Sequence, residues 1–133
     1  MKERICKLEI EELSGLVVNI NDVIYMPDLE APDDRPHPFV YFVTICNNSN
    51  EQILIKGRKW VLTQQSGELT IVEGDGVVGQ FPKLKVGEDF SYNSYHVISS
   101  DCVAEGAFFG TGEDGRPIFV RIPQFELSVP KWV

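Results

Sequence analysis

Alanine is nearly missing from this 133-residue chain: three positions carry it, against 15 valines, 11 isoleucines and 12 phenylalanines and tyrosines together. Alanine heads the helix scale, whereas β-branched and aromatic side chains fit a pleated, half-buried surface. The imbalance points to an all-β protein. Histidine and cysteine are scarce too. The three cysteines, Cys6, Cys46 and Cys102, are odd in number and far apart, which excludes the disulfide framework of a small secreted domain. Neither the cysteines nor the two histidines stand at the short spacings of a transition-metal site. No apolar run nears the ~18 residues of a membrane span. The opening Met1-Lys2-Glu3-Arg4-Ile5-Cys6-Lys7 lacks the apolar stretch of a signal peptide. A cytoplasmic protein with no membrane partner is expected. Positive charge is also short, 12 basic residues against 20 acidic for a net charge of -8. Duplex nucleic acid, which calls for a basic face, is not an expected partner.

What is present is a series of short apolar runs broken by turn residues about every ten positions, the spacing of sandwiches and barrels. Strands are predicted at Leu16–Tyr25, Phe39–Cys46, Ile53–Lys56, Lys59–Gln64, Glu68–Glu73, Asp89–Ile98, Val103–Gly110 and Pro117–Leu127. Asp28–Pro38, with its prolines and acids, reads as a polar loop, and Pro82–Gly87 as another. In Phe39–Cys46 both faces are apolar, so this strand belongs mid-sheet, covered on each side. Glu113-Asp114-Gly115-Arg116 marks a tight hairpin. The result is seven or eight antiparallel strands in one domain from residue 16 to 133. Residues 1–15 form an extension in which Cys6, Leu8 and Ile10 alternate as in a strand but also suit a short helix.

Gly74-Asp75-Gly76-Val77-Val78-Gly79 spells G-x-G-x-x-G behind a strand. In a dinucleotide-binding unit the third glycine opens a helix that holds the pyrophosphate. Here Pro82 leaves that helix no room. Two readings remain. The glycines turn the chain through positive φ at a bulge or a crossover between sheets, with Val77 and Val78 anchoring the loop. Alternatively, Gly74, Gly76 and Gly79 aim backbone N–H groups at a phosphate-type anion, with Arg58, Lys59 or Lys83 supplying charge. Asp75 opposes an anion. Residues 56–85 hold five basic residues and three acids, a local excess of two positive charges. His37 and His96 stand in no recognisable hydrolase context, and Asp28, Glu30, Asp33 and Asp34 lack the spacing of a calcium loop. No catalytic residue, metal site or cofactor is expected. Trp60 reads as a core anchor.

Gly57-Arg58-Lys59-Trp60, the glycine hexapeptide with Pro82, Leu84 and Gly87-Glu88, Phe90-Ser91-Tyr92 with Ser94, and Ile122-Pro123-Gln124-Phe125-Glu126-Leu127 occur in that order. In this combination the chain resembles the ApaG domain family from about Leu16 to Leu127. Lys59 stands where many members have histidine, and Gln80-Phe81 replaces a more polar pair. The resemblance implies a fibronectin-III or immunoglobulin-like β-sandwich without established enzymatic activity. It also implies a link, in bacterial members, to cobalt resistance and magnesium efflux, and a glycine motif proposed for pyrophosphate-like groups. In eukaryotic relatives it implies a protein-recognition module. The expected function is therefore a non-enzymatic binding domain for a protein partner or a small phosphate-type anion. The alternative is a metal-dependent phosphate-ester or pyrophosphate hydrolase using the same loop as a clamp.

Overall fold

A computed structural model describes residues 10–132 of the chain. Nine strands follow in order: β1 (Glu11–Glu12), β2 (Leu16–Tyr25), β3 (His37–Asn47), β4 (Ile53–Gln64), β5 (Leu69–Asp75), β6 (Lys83–Leu84), β7 (Asp89–Ile98), β8 (Cys102–Thr111) and β9 (Pro117–Leu127). Among the described residues there is no helix. One sheet runs β1-β9-β8-β4-β5, with β6 also paired to β4, and the second runs β2-β3-β7. The seven long strands form the antiparallel sandwich that the turn spacing predicts. The two extra strands are only two residues long, and β1 lies parallel to β9.

The faces follow from side-chain alternation, and the alternation changes parity three times. In β2 the inward residues are Leu16, Val18 and Ile20, then Val23 and Tyr25, and the register shifts between Ile20 and Asp22. In β4 they are Ile53 and Ile55, then Trp60 and Leu62, with a shift between Ile55 and Gly57. In β9 they are Ile118, Val120 and Ile122, then Phe125 and Leu127, with the shift opposite Ala104 and Gly106. Each bulge inserts one residue, so the chain keeps its apolar face inward while its twist increases. The predicted break between Ile53–Lys56 and Lys59–Gln64 is such a bulge within one continuous strand.

Between the sheets lies a single core in which Val43, Ile45, Ile55, Phe108, Ile118 and Leu127 are wholly buried and Trp60 is 1% exposed. Burial of each such side chain stabilises by ~1.5–3 kcal/mol. Trp60 is the core anchor its position predicts. β3 is the middle strand of its sheet, but only its Phe39, Tyr41, Val43 and Ile45 face packs into the core, although Val40 on the opposite face is also buried. Phe42, Thr44 and Cys46 are half-buried, because the second sheet packs on one side alone. Their flanks are covered by β2 and β7 through Asn21–Thr44 and Thr44–Ser91 side-chain bonds of 2.7 and 2.8 Å. Leu13, just before β2, is buried, and its N–H donates to the carbonyl of Phe119 at 3.1 Å. The alternation predicted for Cys6 and Leu8 lies outside the described residues.

Candidate functional site

The bulge in β4 decides which basic side chain faces which way. After the extra residue at Lys56–Gly57, Arg58 shares the inward parity of Trp60 and Leu62, while Lys59 takes the outer face. β5 runs on through Gly74 and Asp75, opposite Arg58 and Gly57 respectively. The first glycine of the hexapeptide is therefore a strand residue rather than a turn. Its lack of a side chain matters all the same. A Cβ at Gly74 would stand 2.6–2.8 Å from the Arg58 guanidinium, which lies across the bare backbone. From there Arg58 Nη1 donates to the carbonyl oxygens of Asp75 at 2.9 Å and Gly76 at 3.1 Å.

Beyond Gly76 the chain turns tightly. The Gly76 N–H donates to the Lys56 carbonyl at 2.7 Å, and Val77 and Gln80 exchange both backbone bonds at 2.8 and 2.9 Å. The two residues between them, Val78 and Gly79, have φ of 43° and 79°. Positive φ at both central positions is the mark of a type I′ turn, where Asn-Gly is the favoured pair. Val77 is wholly buried and anchors the loop, but Val78 does not: it is 46% exposed. Phe81 follows, 57% exposed, its ring edge over Gly76. The loop leads from β5 to β6 along the same edge of β4. The crossover between sheets comes later, at Val86–Gly87, so the hexapeptide returns the chain within one sheet.

The predicted anion site thus divides. Arg58, Lys59, Gly74 and Asp75 line one shallow depression of about 580 Å³, together with Gly57, Glu73 and Phe109. Gly76 joins it through Arg58, whereas Gly79 at the turn tip and Lys83 on β6 lie outside its lining. Lys59 stands opposite Glu73 across the β4–β5 pair and Gly57 opposite Asp75. Two carboxylates therefore flank Lys59, which makes no ion pair among the described residues, and the second cation is spent on loop carbonyls. Of the loop's N–H groups, those of Gly76, Val77 and Gln80 are used internally. Those of Val78 and Gly79 donate to nothing among the described residues. Sequence reading missed Glu73, Gly57 and Phe109 because strand register alone brings them here.

Behind Arg58 the core carries an aromatic cluster. His96 stacks on Tyr41 with ring centroids 4.6 Å apart and meets Trp60 edge-on at 4.7 Å. Burial holds the His96 imidazole down to a pKa of about 4 and pushes the Tyr41 and Tyr92 phenols up, an effect the nearby Arg58 charge partly opposes for both phenols. Trp60 Nε1, Tyr92 Oη and His96 Nε2 are buried with no hydrogen-bond partner among the described residues. His37 opens β3, in the same sheet as His96, and is bonded through Nδ1 to Tyr25 Oη at 2.9 Å. Both histidines are thus committed within the fold, one as a neutral core ring and one as a partner of Tyr25.

A family model described as ApaG domain matches residues 27–110. The chain is 39% identical over 125 residues to the protein ApaG of Nitrosomonas europaea, covering 93% of this chain and 98% of that one. It is 33% identical over 107 residues to the protein ApaG of Vibrio cholerae, covering 80% and 85%. The crystal structure of a Bordetella pertussis protein designated ApaA superposes with a TM-score of 0.77 at 30% identity, over 92% of this chain and 99% of that one.

Proposed function

The chain belongs to the ApaG domain family, and from that premise we propose that it is a non-enzymatic recognition domain whose ligand is a segment of another protein. The observation that carries this reading is Val78. A β-branched residue in the left-handed region costs ~1–2 kcal/mol, and here it holds an apolar side chain out to solvent at a tight turn. Strain with no gain in burial is a mark of a surface kept for contact. Phe81, exposed beside it, supplies the aromatic anchor that such contacts favour. The test is selection from a random peptide display library. Bound clones are expected, with binding lowered about tenfold in Phe81→Asp or Val78→Asp. Failure to enrich any clone overturns the reading.

A second reading, a phosphate-type anion at the loop, is favoured by the N–H groups of Val78 and Gly79, which have no partner among the described residues, and by exposed lysines on the flanking strands, Lys56 on β4 and Lys83 on β6. Against it stand Glu73 and Asp75 and the engagement of Arg58. Amide shifts of Gly74, Gly76 and Gly79 under millimolar pyrophosphate decide it, and no shift is expected. The hydrolase alternative requires turnover of pyrophosphate or phosphate esters with Mg²⁺ or Co²⁺, lost in Arg58→Ala or Asp75→Asn. No turnover is expected. A role in cobalt or magnesium balance would, on this reading, be exercised through the bound protein.

A further inference from the structure

An exposed strand edge is a template for pairing, and proteins blunt theirs with lysine, proline, bulges or a covering loop. Among the described residues β5 carries no lysine, proline or bulge along its seven residues, Leu-Thr-Ile-Val-Glu-Gly-Asp, and its charges are two acids. It is, among the described residues, the outermost strand of its sheet, paired to β4 on one side only, in an unbroken register from Leu69 to Asp75. Its outward row is sharply divided. Leu69 and Ile71 are 56% and 53% exposed, and Glu73 and Asp75 continue the row as two exposed acids. We infer that β5 is a docking edge for an extended segment of a partner protein that adds a strand to this sheet. Resting on the reading of the chain as a protein-recognition domain, it specifies the segment's chemistry as two aliphatic side chains alternating into two basic ones.

Backbone groups of alternate β5 residues point away from β4 and supply affinity. The row supplies selectivity, because directly opposed side chains on one face are the unit of sheet pairing. An antiparallel incoming strand sets a basic residue against each of Asp75 and Glu73, then an aliphatic residue against each of Ile71 and Leu69. The same row disfavours a second copy of this chain. Pairing β5 with itself along its full length places Leu69 against Asp75 and Ile71 against Glu73, burying aliphatic surface on carboxylates. Charge complementarity therefore selects a basic–aliphatic partner over self-association.

The probe is a fluorescein-labelled peptide, acetyl-Arg-Thr-Lys-Val-Val-Thr-Ile-amide, read by fluorescence polarisation against the full chain. Binding is expected, with amide perturbations along residues 69–75, and Ile71→Lys weakens it about tenfold or more. The double variant Glu73→Lys with Asp75→Lys also loses it. A peptide with glutamates in both basic positions binds that double variant and not the original chain. These substitutions are exposed, and circular dichroism checks that each variant is folded. Equal binding to the original and charge-reversed chains, absence of binding, or perturbations confined to residues 76–81 overturns the inference. So does a dimer through β5 in sedimentation. Library clones that depend on Phe81 but not on Ile71 leave protein recognition standing and remove the β5 edge alone.

Discussion

Val78 sets two demands against each other at one residue. Replacing it with asparagine installs Asn-Gly at the centre of a type I′ turn, the favoured pair for two consecutive positive φ values. The left-handed penalty of ~1–2 kcal/mol is then largely relieved, and the lost side chain was only half covered. Val78→Asn is expected to raise stability by about 1 kcal/mol in urea unfolding while weakening peptide binding, a trade between stability and contact. A stabilised variant with unchanged binding separates the strain from recognition. His96 makes a second prediction at this scale. Its folded pKa lies near 4, against 6.5 in the unfolded chain, because burial penalises the charged ring. Between those values the unfolded state binds the extra proton, so stability is whole above about pH 6.5 and falls as pH drops toward 4, by ~3 kcal/mol in all. The difference in pH dependence between the original chain and His96→Phe isolates this contribution, since carboxylates titrate in both. A parallel pair of profiles refutes it.

At the level of elements, the β5–β6 loop is latched by Arg58, and the latch depends on the bare backbone of Gly74. Gly74→Ala drives a methyl into the guanidinium at 2.6–2.8 Å. The cheapest relief is to swing the arginine off the strand, which surrenders its bonds to the Asp75 and Gly76 carbonyls. Gly74→Ala and Arg58→Ala should each cost about 1–2 kcal/mol. Because both remove one interaction, the double variant should cost hardly more than either, a coupling of about 1 kcal/mol in a double-mutant cycle. Additive losses would mean that the two residues act independently. This latch is what the sequence could not disclose. Arg58 and Lys59 are adjacent and equally basic on paper, and only the bulge at Lys56–Gly57 sends one inward and the other out. The strand itself was readable from Trp60 and Leu62. So was the shift, in principle, since the inward residues change from odd (Ile53, Ile55) to even (Trp60, Leu62). The predicted strands stop at Lys56 and resume at Lys59, and a glycine in that gap suits an interruption as readily as a bulge. Glu73 and Phe109 remained hidden for a stricter reason: cross-strand neighbours depend on register, which no single strand contains.

For the molecule as a whole, the two sheets meet at one end through a single buried amide. Asn47 closes β3, and its Nδ2 donates to the carbonyls of Glu51 and Leu84 at 2.9 Å each. Its Oδ1 accepts from the Ser49 N–H at 3.1 Å and the Ser49 hydroxyl at 2.6 Å. Leu84 belongs to β6, on the opposite sheet, so this side chain ties the sandwich across its seam while fixing the turn between β3 and β4. Its backbone takes part as well, donating to Glu88 at 3.0 Å and accepting from Gly87 at 2.7 Å, where the chain crosses between sheets. The strand count, the sandwich and the core tryptophan could be read from composition and alternation. In Asn47-Asn48-Ser49-Asn50 the sequence shows only a polar turn, since the side-chain partners of Asn47 lie as far as 37 positions away. Asn47→Ala takes the side-chain partner from the Leu84 carbonyl and the Ser49 N–H in a site closed to water, while the Ser49 hydroxyl keeps only the Glu51 carbonyl at 3.1 Å. Unmet buried groups cost ~1–3 kcal/mol each before relaxation, so a net loss of about 3 kcal/mol is expected, roughly 10 °C in melting temperature for a domain of this size. Asn47→Asp keeps the acceptor but replaces two donors with a buried charge facing two carbonyls, and should be worse still at neutral pH. Calorimetry on both variants distinguishes a seam that holds the sandwich together from an ordinary turn, for which the melting temperature would fall by no more than a few degrees and aspartate would match alanine.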